Sequence, residues 1–285
     1  MNKEDPLVTT DWLAARLDAP DLRILDASWF LPGDPRNARA LYEAARIPGA
    51  LYFDIDEIAD TDSPLPHMLP RPEKFASRMR ALGVGDGARV IVYDRVGVFS
   101  AARVWWTFRV MGHDDVAVLD GGLPAWEAAA RPLETDPPGP RTARHFSARY
   151  RSDLVRDLTD MRKIVDDRTA LILDARPPGR FHGAEPEPRP GLQPGHMPGA
   201  RNAPMSALQN PDGTMKSVQE LEAYFATHAV GSAGAVVCTC GSGVSAAVVA
   251  LALARIGRWD AAVYDGSWAE WGACEGAAIA SGALA

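Results

Sequence analysis

The stretch Val236-Val237-Cys238-Thr239-Cys240-Gly241-Ser242-Gly243-Val244-Ser245 passes from an apolar, β-branched run through a glycine-punctuated bend into the alanine- and leucine-rich segment 246–255. Strand, tight turn and helix are expected in that order. Such a turn aims successive backbone N–H groups and the positive end of a helix dipole at whatever lies over the loop, an arrangement that suits a bound anion. Cys240 stands at the turn. A free thiol has a pKa of about 8.5, and a helix N-terminus or neighbouring cations lower it, so a thiolate nucleophile and sulfur or acyl chemistry are expected at this position.

Working outward, the chain has 285 residues, 47% of them hydrophobic, which is enough for a full core and more comfortable as two domains than as one. A net charge of -7 argues against nucleic acid or an anionic membrane as the main partner. A small anionic substrate remains compatible through a local cationic pocket. The segment Met1 to Val8, with Lys3, Glu4, Asp5 and Pro6, lacks an apolar leader core, and no later stretch approaches the roughly 20 apolar residues of a membrane span. A soluble, cytoplasmic protein is the expectation. Three cysteines do not form a disulfide framework and fit a reducing compartment.

The chain repeats itself at an offset of about domain size. The first half shows Ile24-Leu25-Asp26-Ala27, Ile47-Pro48-Gly49-Ala50, Val90-Ile91-Val92-Tyr93-Asp94, then Asp120-Gly121-Gly122 with Trp126. The second shows Ile172-Leu173-Asp174-Ala175, Met197-Pro198-Gly199-Ala200, the stretch ending in Cys240, then Asp265-Gly266-Ser267 with Trp268 and Trp271. Strands are expected at 89–93 and 235–239, each followed by a helix that stops at a glycine, Gly112 or Gly257. Alternating strand and helix imply an α/β fold of two small parallel sheets flanked by helices, with ligands outside the strand carboxyl ends. The expected boundaries are 1–135 and 150–285. Between them lies a linker over 131–152 containing Pro132, Pro137, Pro138, Gly139 and Pro140.

The paired Pro-Gly-Ala turns, the Asp-Gly-Gly and Asp-Gly-Ser-Trp signals and the Cys-Gly-Ser-Gly-Val-Ser loop resemble the tandem rhodanese-domain sulfurtransferases. Within them the loop is similar to that of members using 3-mercaptopyruvate, where Cys-Gly-Ser-Gly-Val-Thr is usual and Ser245 keeps the hydroxyl of the threonine. Thiosulfate-using members carry Cys-Arg-Lys-Gly instead. The resemblance implies that Cys240 accepts sulfur as a persulfide, within a loop formed by Gly241, Ser242, Gly243, Val244 and Ser245. Pyruvate would be released, and the sulfur passed to cyanide, a thiol or a thioredoxin-like protein. It implies that Arg180 and Arg189, in the stretch 179–189, hold the donor's carboxylate and carbonyl, a task that suits a guanidinium fork. It also implies that Asp56 orients His67 and that His67 contacts Ser242 in an interdomain cleft, where the set manages the proton that the pyruvate enolate needs. Asp94 stands in the first half where Cys240 stands in the second, so the N-terminal domain is expected to be catalytically silent.

Competing chemistries stand beside these. A cysteine phosphatase loop ends in an arginine six positions after its cysteine, and here that residue is Ala246, so a phosphoryl group would lack its cationic clamp. A thiosulfate sulfurtransferase and a non-catalytic sulfur-carrier module also compete with the 3-mercaptopyruvate reading. Cys238 is expected in the core, with thiol exchange against Cys240 as its second possible role, and Cys274 is given none. The cysteine spacing does not match a zinc site, so no metal and no organic cofactor are expected. Arg180 and Arg189 could instead be ordinary charges paired with Glu185 and Glu187. Arg176 is a weaker candidate. His182 and His196 are expected to structure turns, and Trp105, Trp106, Trp126, Trp268 and Trp271 to pack.

Overall fold

Each half of the chain builds the same five-stranded sheet, whose central strands come from short apolar runs that alternate with helix-forming segments. The computed structural model describes residues 5–137, 139 and 142–282. In the first half the elements are β1 (Leu7–Val8), α1 (Thr10–Ala14), β2 (Leu22–Asp26), α2 (Ala38–Ala44), β3 (Leu51–Tyr52), α3 (Pro72–Ala81), β4 (Arg89–Tyr93), α4 (Ser100–Val110), β5 (Val116–Leu119) and α5 (Gly122–Ala128). In the second they are β6 (Val155–Arg156), α6 (Leu158–Asp167), β7 (Ala170–Asp174), α7 (Pro178–Phe181), β8 (Arg201–Asn202), α8 (Val218–Thr227), β9 (Ala235–Thr239), α9 (Val244–Arg255), β10 (Ala262–Tyr264) and α10 (Ser267–Trp271). The strand orders are β1-β5-β4-β2-β3 and β6-β10-β9-β7-β8, the same permutation twice, and all pairings are parallel. The α/β class expected from the sequence is the one found.

The central strands β4 and β9 are flanked by strands on both sides and covered by helices, so their residues are apolar in a continuous run rather than alternating. Helices α4 and α9 follow them directly, and nearly every residue of each is buried. Gly112 and Gly257, at φ 82° and 89°, stand just beyond the two helices as expected of left-handed stops. The five tryptophans named above are all fully or almost fully buried. Trp126 packs with Ile24, Ile91 and Leu123 in the first core, and Trp268 and Trp271 pack with Ile172, Phe181 and Val237 in the second.

The compact units do not follow a single cut in the sequence. One comprises 1–61, 69–151 and 209–215, and the other comprises 62–68, 152–208 and 216–285. Among its described residues the segment read as a linker has no α-helix, yet it is tied down along the first unit. Arg46 and Glu134 form an isolated antiparallel bridge, Phe146 is buried and packs edge-on against Phe75 and Phe108, and Asp86 N–H donates to the carbonyl of His145. Pro138 and Pro140 of that segment lie outside the described residues. Among the described residues no helix is long and apolar enough to cross a membrane.

Candidate active site

Cys240 is the first residue beyond β9, at the carboxyl end of the central strand, and it is 1% exposed. Gly243, at φ 78°, is the cap from which α9 begins, so the bend between thiol and helix needs a residue without a Cβ penalty in the left-handed region. The loop is held from the side of α10. Trp268 N–H donates to the Cys240 carbonyl at 2.9 Å, and Ala269 N–H donates to the Gly241 carbonyl at 2.9 Å. A trans peptide points its N–H opposite to its C=O. With both carbonyls committed to α10, the N–H groups of Gly241 and Ser242 therefore face the other way. Ser267 completes the frame: its Oγ accepts from Cys240 N–H at 3.3 Å and donates to the Tyr264 carbonyl at 2.8 Å.

The first unit shows what this loop shape does with an anion. Asp94 occupies the position after β4, is fully buried, and its carboxylate accepts from the N–H groups of Val96, Phe99 and Ala101 at 2.9, 2.7 and 2.9 Å. Burial pushes the Asp94 pKa up, against the pull of those three donors. Leu123 N–H donates to the Asp94 carbonyl at 2.8 Å, the counterpart of Trp268 on Cys240. The first loop thus carries its own carboxylate, tethered in place and saturated with donors. No thiol stands there to take up sulfur.

Arg180 and Arg189 flank the second loop. A Cβ placed on Gly241 would lie 3.2 Å from Arg180 Nη2 and 3.8 Å from Arg189 Nη1, so both guanidinium groups sit against the residue after the thiol. Arg180 is held by Glu187, whose Oε2 accepts from Arg180 Nε at 3.1 Å and Nη2 at 2.5 Å. The Oε1 of Glu187 accepts from Arg176 Nη1 at 2.7 Å. Arg176, 1% exposed, also donates to both carboxylate oxygens of Asp174 and to the Gly195 carbonyl, and its guanidinium lies 4.1 Å from the Trp268 ring centroid. Burial opposes the charge of Arg176, yet Asp174 and Glu187 more than offset it and hold its pKa above the ordinary value. The ordinary ion pairing of Arg180 with Glu187 is real. It coexists with the position over Gly241 rather than replacing it.

The remaining candidates are placed as follows. Ser242 and Val244 are buried and Ser245 is half-buried at the start of α9. His67 is buried, lies in the same compact unit as Cys240, and has φ 61°. Asp56 is exposed in the other unit, where Trp29 Nε1 donates to its Oδ2 at 3.1 Å and its own N–H donates to Asp54 Oδ1 at 3.1 Å. Cys238 is fully buried and burial pushes its thiol pKa up, which keeps it protonated. Arg162 Nη2 donates to Cys274 Sγ at 3.0 Å. His196 and His182 bond through Nδ1 to the carbonyls of Phe181 and Gly282, as turn-structuring residues do. Among the described residues no cluster of three or more His, Cys, Asp or Glu could hold a metal ion.

Three contributors were missed in the sequence: Ser267, which takes the Cys240 N–H; Glu187, treated there only as a possible ion-pair partner; and Trp268, assigned to packing alone. The repeated Asp-Gly signal, Asp-Gly-Gly in the first half and Asp-Gly-Ser-Trp in the second, marked the right loop. Its hydrogen bonds to a residue 27 positions away could not be read from spacing.

The Rhodanese-like domain family model matches residues 9–129 and 157–274. The 3-mercaptopyruvate sulfurtransferase of Escherichia coli (strain K12) is 44% identical over 271 residues, covering 93% of this chain and 94% of its own. Thiosulfate/3-mercaptopyruvate sulfurtransferase 1, mitochondrial, of Arabidopsis thaliana is 40% identical over 291 residues, covering 95% of this chain and 77% of its own. The crystal structure of SseA from Escherichia coli, described as having the "Rhodanese" fold of 3-mercaptopyruvate sulfotransferases, superposes with a TM-score of 0.85 at 41% identity, covering 94% of this chain and all of the other.

Proposed function

This chain belongs to the rhodanese-like domain family, and we propose that it is a 3-mercaptopyruvate sulfurtransferase whose second half, 150–285, is catalytic and whose first half, 1–135, is silent. The observation that carries the reading is the thiol of Cys240 one residue beyond β9, with Arg180 and Arg189 against the adjoining Gly241. Guanidinium groups hold the carboxylate and carbonyl of the donor. The Cys240 thiolate attacks the donor's sulfur, an S–S bond forms and the C–S bond breaks. The released electron pair is taken up as the enolate of pyruvate. Asp56, His67 and Ser242 are assigned to delivering the proton that turns this enolate into pyruvate.

The persulfide is then held as Asp94 holds its own carboxylate. Counted from the strand ends, the N–H group of Val96 corresponds to that of Ser242. The second loop is shorter, so in the helix register set by Gly112 and Gly257 the N–H groups of Phe99 and Ala101 correspond to those of Val244 and Ala246, with Gly241 and Gly243 shaping the turn and Ser245 in the first turn of α9. A thiophilic acceptor, whether cyanide, a small thiol or a thioredoxin-like protein, attacks the outer sulfur and releases the Cys240 thiolate. The cysteine carries the group, so the cycle calls for neither metal nor organic cofactor. A cytoplasmic location belongs to the same proposal.

Thiosulfate is the second donor to test, because the plant relative's name includes it. The deciding experiment is mass spectrometry after treatment with each donor, followed by steady-state rates with cyanide as acceptor. One added sulfur atom on Cys240 and a preference for 3-mercaptopyruvate are expected. A chain that gains no sulfur is a binding module, and a clear preference for thiosulfate reassigns the donor.

A further inference from the structure

Arg180 is the end of a buried chain of charges, and its nearest link is Glu187. The side chain of Glu187 is 1% exposed and both of its oxygens are occupied, Oε1 by Arg176 and Oε2 by two nitrogens of Arg180. Arg176 is in turn anchored by Asp174, by the Gly195 carbonyl and by the Trp268 ring. Arg180 belongs to α7, a single turn of helix that offers little rigidity of its own. What fixes its guanidinium against Gly241 is the Glu187 carboxylate. That carboxylate takes the Nε–Nη2 edge of the fork and leaves the Nη1 edge and one Nη2 hydrogen for a ligand.

The same chain sets the charge beside the thiol. Asp174 with Arg176 and Glu187 with Arg180 balance in pairs, and Arg189 adds one positive charge next to Gly241. The loop itself, Gly241 to Ser245, carries no charged side chain. Beside the Cys240 thiolate these side chains supply one net positive charge, and loss of the Glu187 charge would raise it to two, a change that favours a dianion over a donor with a single carboxylate. Overall identity does not separate the two donors, since a relative named for both aligns over 95% of this chain.

We propose that Glu187 is a positioning residue that also determines donor selectivity, by orienting Arg180 over the Cys240 loop and cancelling enough positive charge to favour a monoanionic over a dianionic sulfur donor. This rests on the reading of Arg180 as a group that holds the donor.

The test uses the full-length chain, with 3-mercaptopyruvate and thiosulfate as donors and cyanide as acceptor. Glu187→Gln keeps the size but removes the charge and weakens three charge-assisted hydrogen bonds, two from Arg180 and one from Arg176. The KM for 3-mercaptopyruvate should rise about tenfold while kcat changes less than about threefold, since what is lost is binding and not the attacking thiol. The ratio of kcat/KM values should move toward thiosulfate by about tenfold or more. Glu187→Asp, which keeps the charge and shortens the reach, should raise KM without moving that ratio. Equal losses of kcat with both donors, or an unmoved donor ratio in Glu187→Gln, overturns the proposal. Should Glu187→Gln not fold, Glu187→Asp decides: a KM for 3-mercaptopyruvate within about twofold of the parent overturns the orienting role. Arg180→Ala separates the two levels. If it leaves KM unchanged, the underlying reading of Arg180 fails. If it raises KM while Glu187→Gln leaves the donor ratio where it was, only the inference about Glu187 fails.

Discussion

Trp268 N–H donates to the carbonyl of Cys240, and Leu123 N–H donates to the carbonyl of Asp94, at 2.9 and 2.8 Å. Two loops in opposite halves of the sequence are therefore pinned by the same device, one holding a thiol and the other a carboxylate. In the first loop the anion is built in. In the second an anion has to be made, and the family's chemistry makes it from sulfur.

Replacing Cys240 with serine should abolish both sulfur uptake and transfer, with either donor, because a hydroxyl at this position cannot form a persulfide. Cys274→Ser should retain full activity. Intact-mass measurement after donor treatment checks both, and transfer surviving in Cys240→Ser would end the assignment.

Asp94→Ala strips an acceptor from three N–H groups, two of them on or next to the first turn of α4. Leaving buried donors unsatisfied costs about 1–3 kcal/mol each, partly relieved by relaxation, so a destabilisation of about 3 kcal/mol is expected. Urea denaturation measures it. Persulfide formation on Cys240 in the folded fraction should persist, since Asp94 is assigned no part in the chemistry.

Two glycines separate crowding that can relax from crowding that cannot. A Cβ on Gly122 would lie 2.3 Å from the Asp94 carbonyl oxygen and 2.6 Å from that of Gly97, both backbone atoms, whereas on Gly241 it would meet the far ends of two arginines. Gly122→Ala should destabilise the fold by about 2–3 kcal/mol. Gly241→Ala should leave the melting temperature nearly unchanged and raise the KM for 3-mercaptopyruvate about threefold by displacing Arg180. Calorimetry and donor kinetics on the two variants test the contrast.

Burial lowers the pKa of His113 and His196 below the ordinary value of about 6.5. The unfolded chain then binds more protons than the folded one between those lowered values and about 6.5, so stability rises with pH across that window and is lost as the pH falls through it. Urea midpoints should decrease from pH 7.5 toward pH 5. His196→Gln, whose amide can still donate to the Phe181 carbonyl as Nδ1 does, should flatten part of the slope. An unchanged slope in both His196→Gln and His113→Gln would assign the acid sensitivity elsewhere.

Much of this protein is written locally. The apolar runs 89–93 and 235–239 became β4 and β9 with those bounds, and Gly112 and Gly257 stand where their helices stop, because strand burial and left-handed stops depend on residues close in sequence. Cys240 at a strand-to-helix turn is legible for the same reason. The duplication also shows in order and spacing alone. Less legible was the linker, because proline content marks the absence of a helix and says nothing about whether Phe146 finds a pocket among Phe75 and Phe108.

What the amino-acid order determined by itself is the repeated α/β topology and the thiol's place in it, since both follow from hydrophobic period and turn chemistry within a few residues. What only the tertiary structure decided is the electrostatic company of that thiol. Asp174, Arg176, Glu187 and Arg180 lie within 14 positions, yet nothing in their spacing says that they link carboxylate to guanidinium in one buried chain ending at Gly241. Nor does any local pattern place 62–68 with the second unit and 209–215 with the first. Ion pairing and segment docking are set by which surfaces remain to be covered once the sheets have formed, and that is a property of the folded chain as a whole.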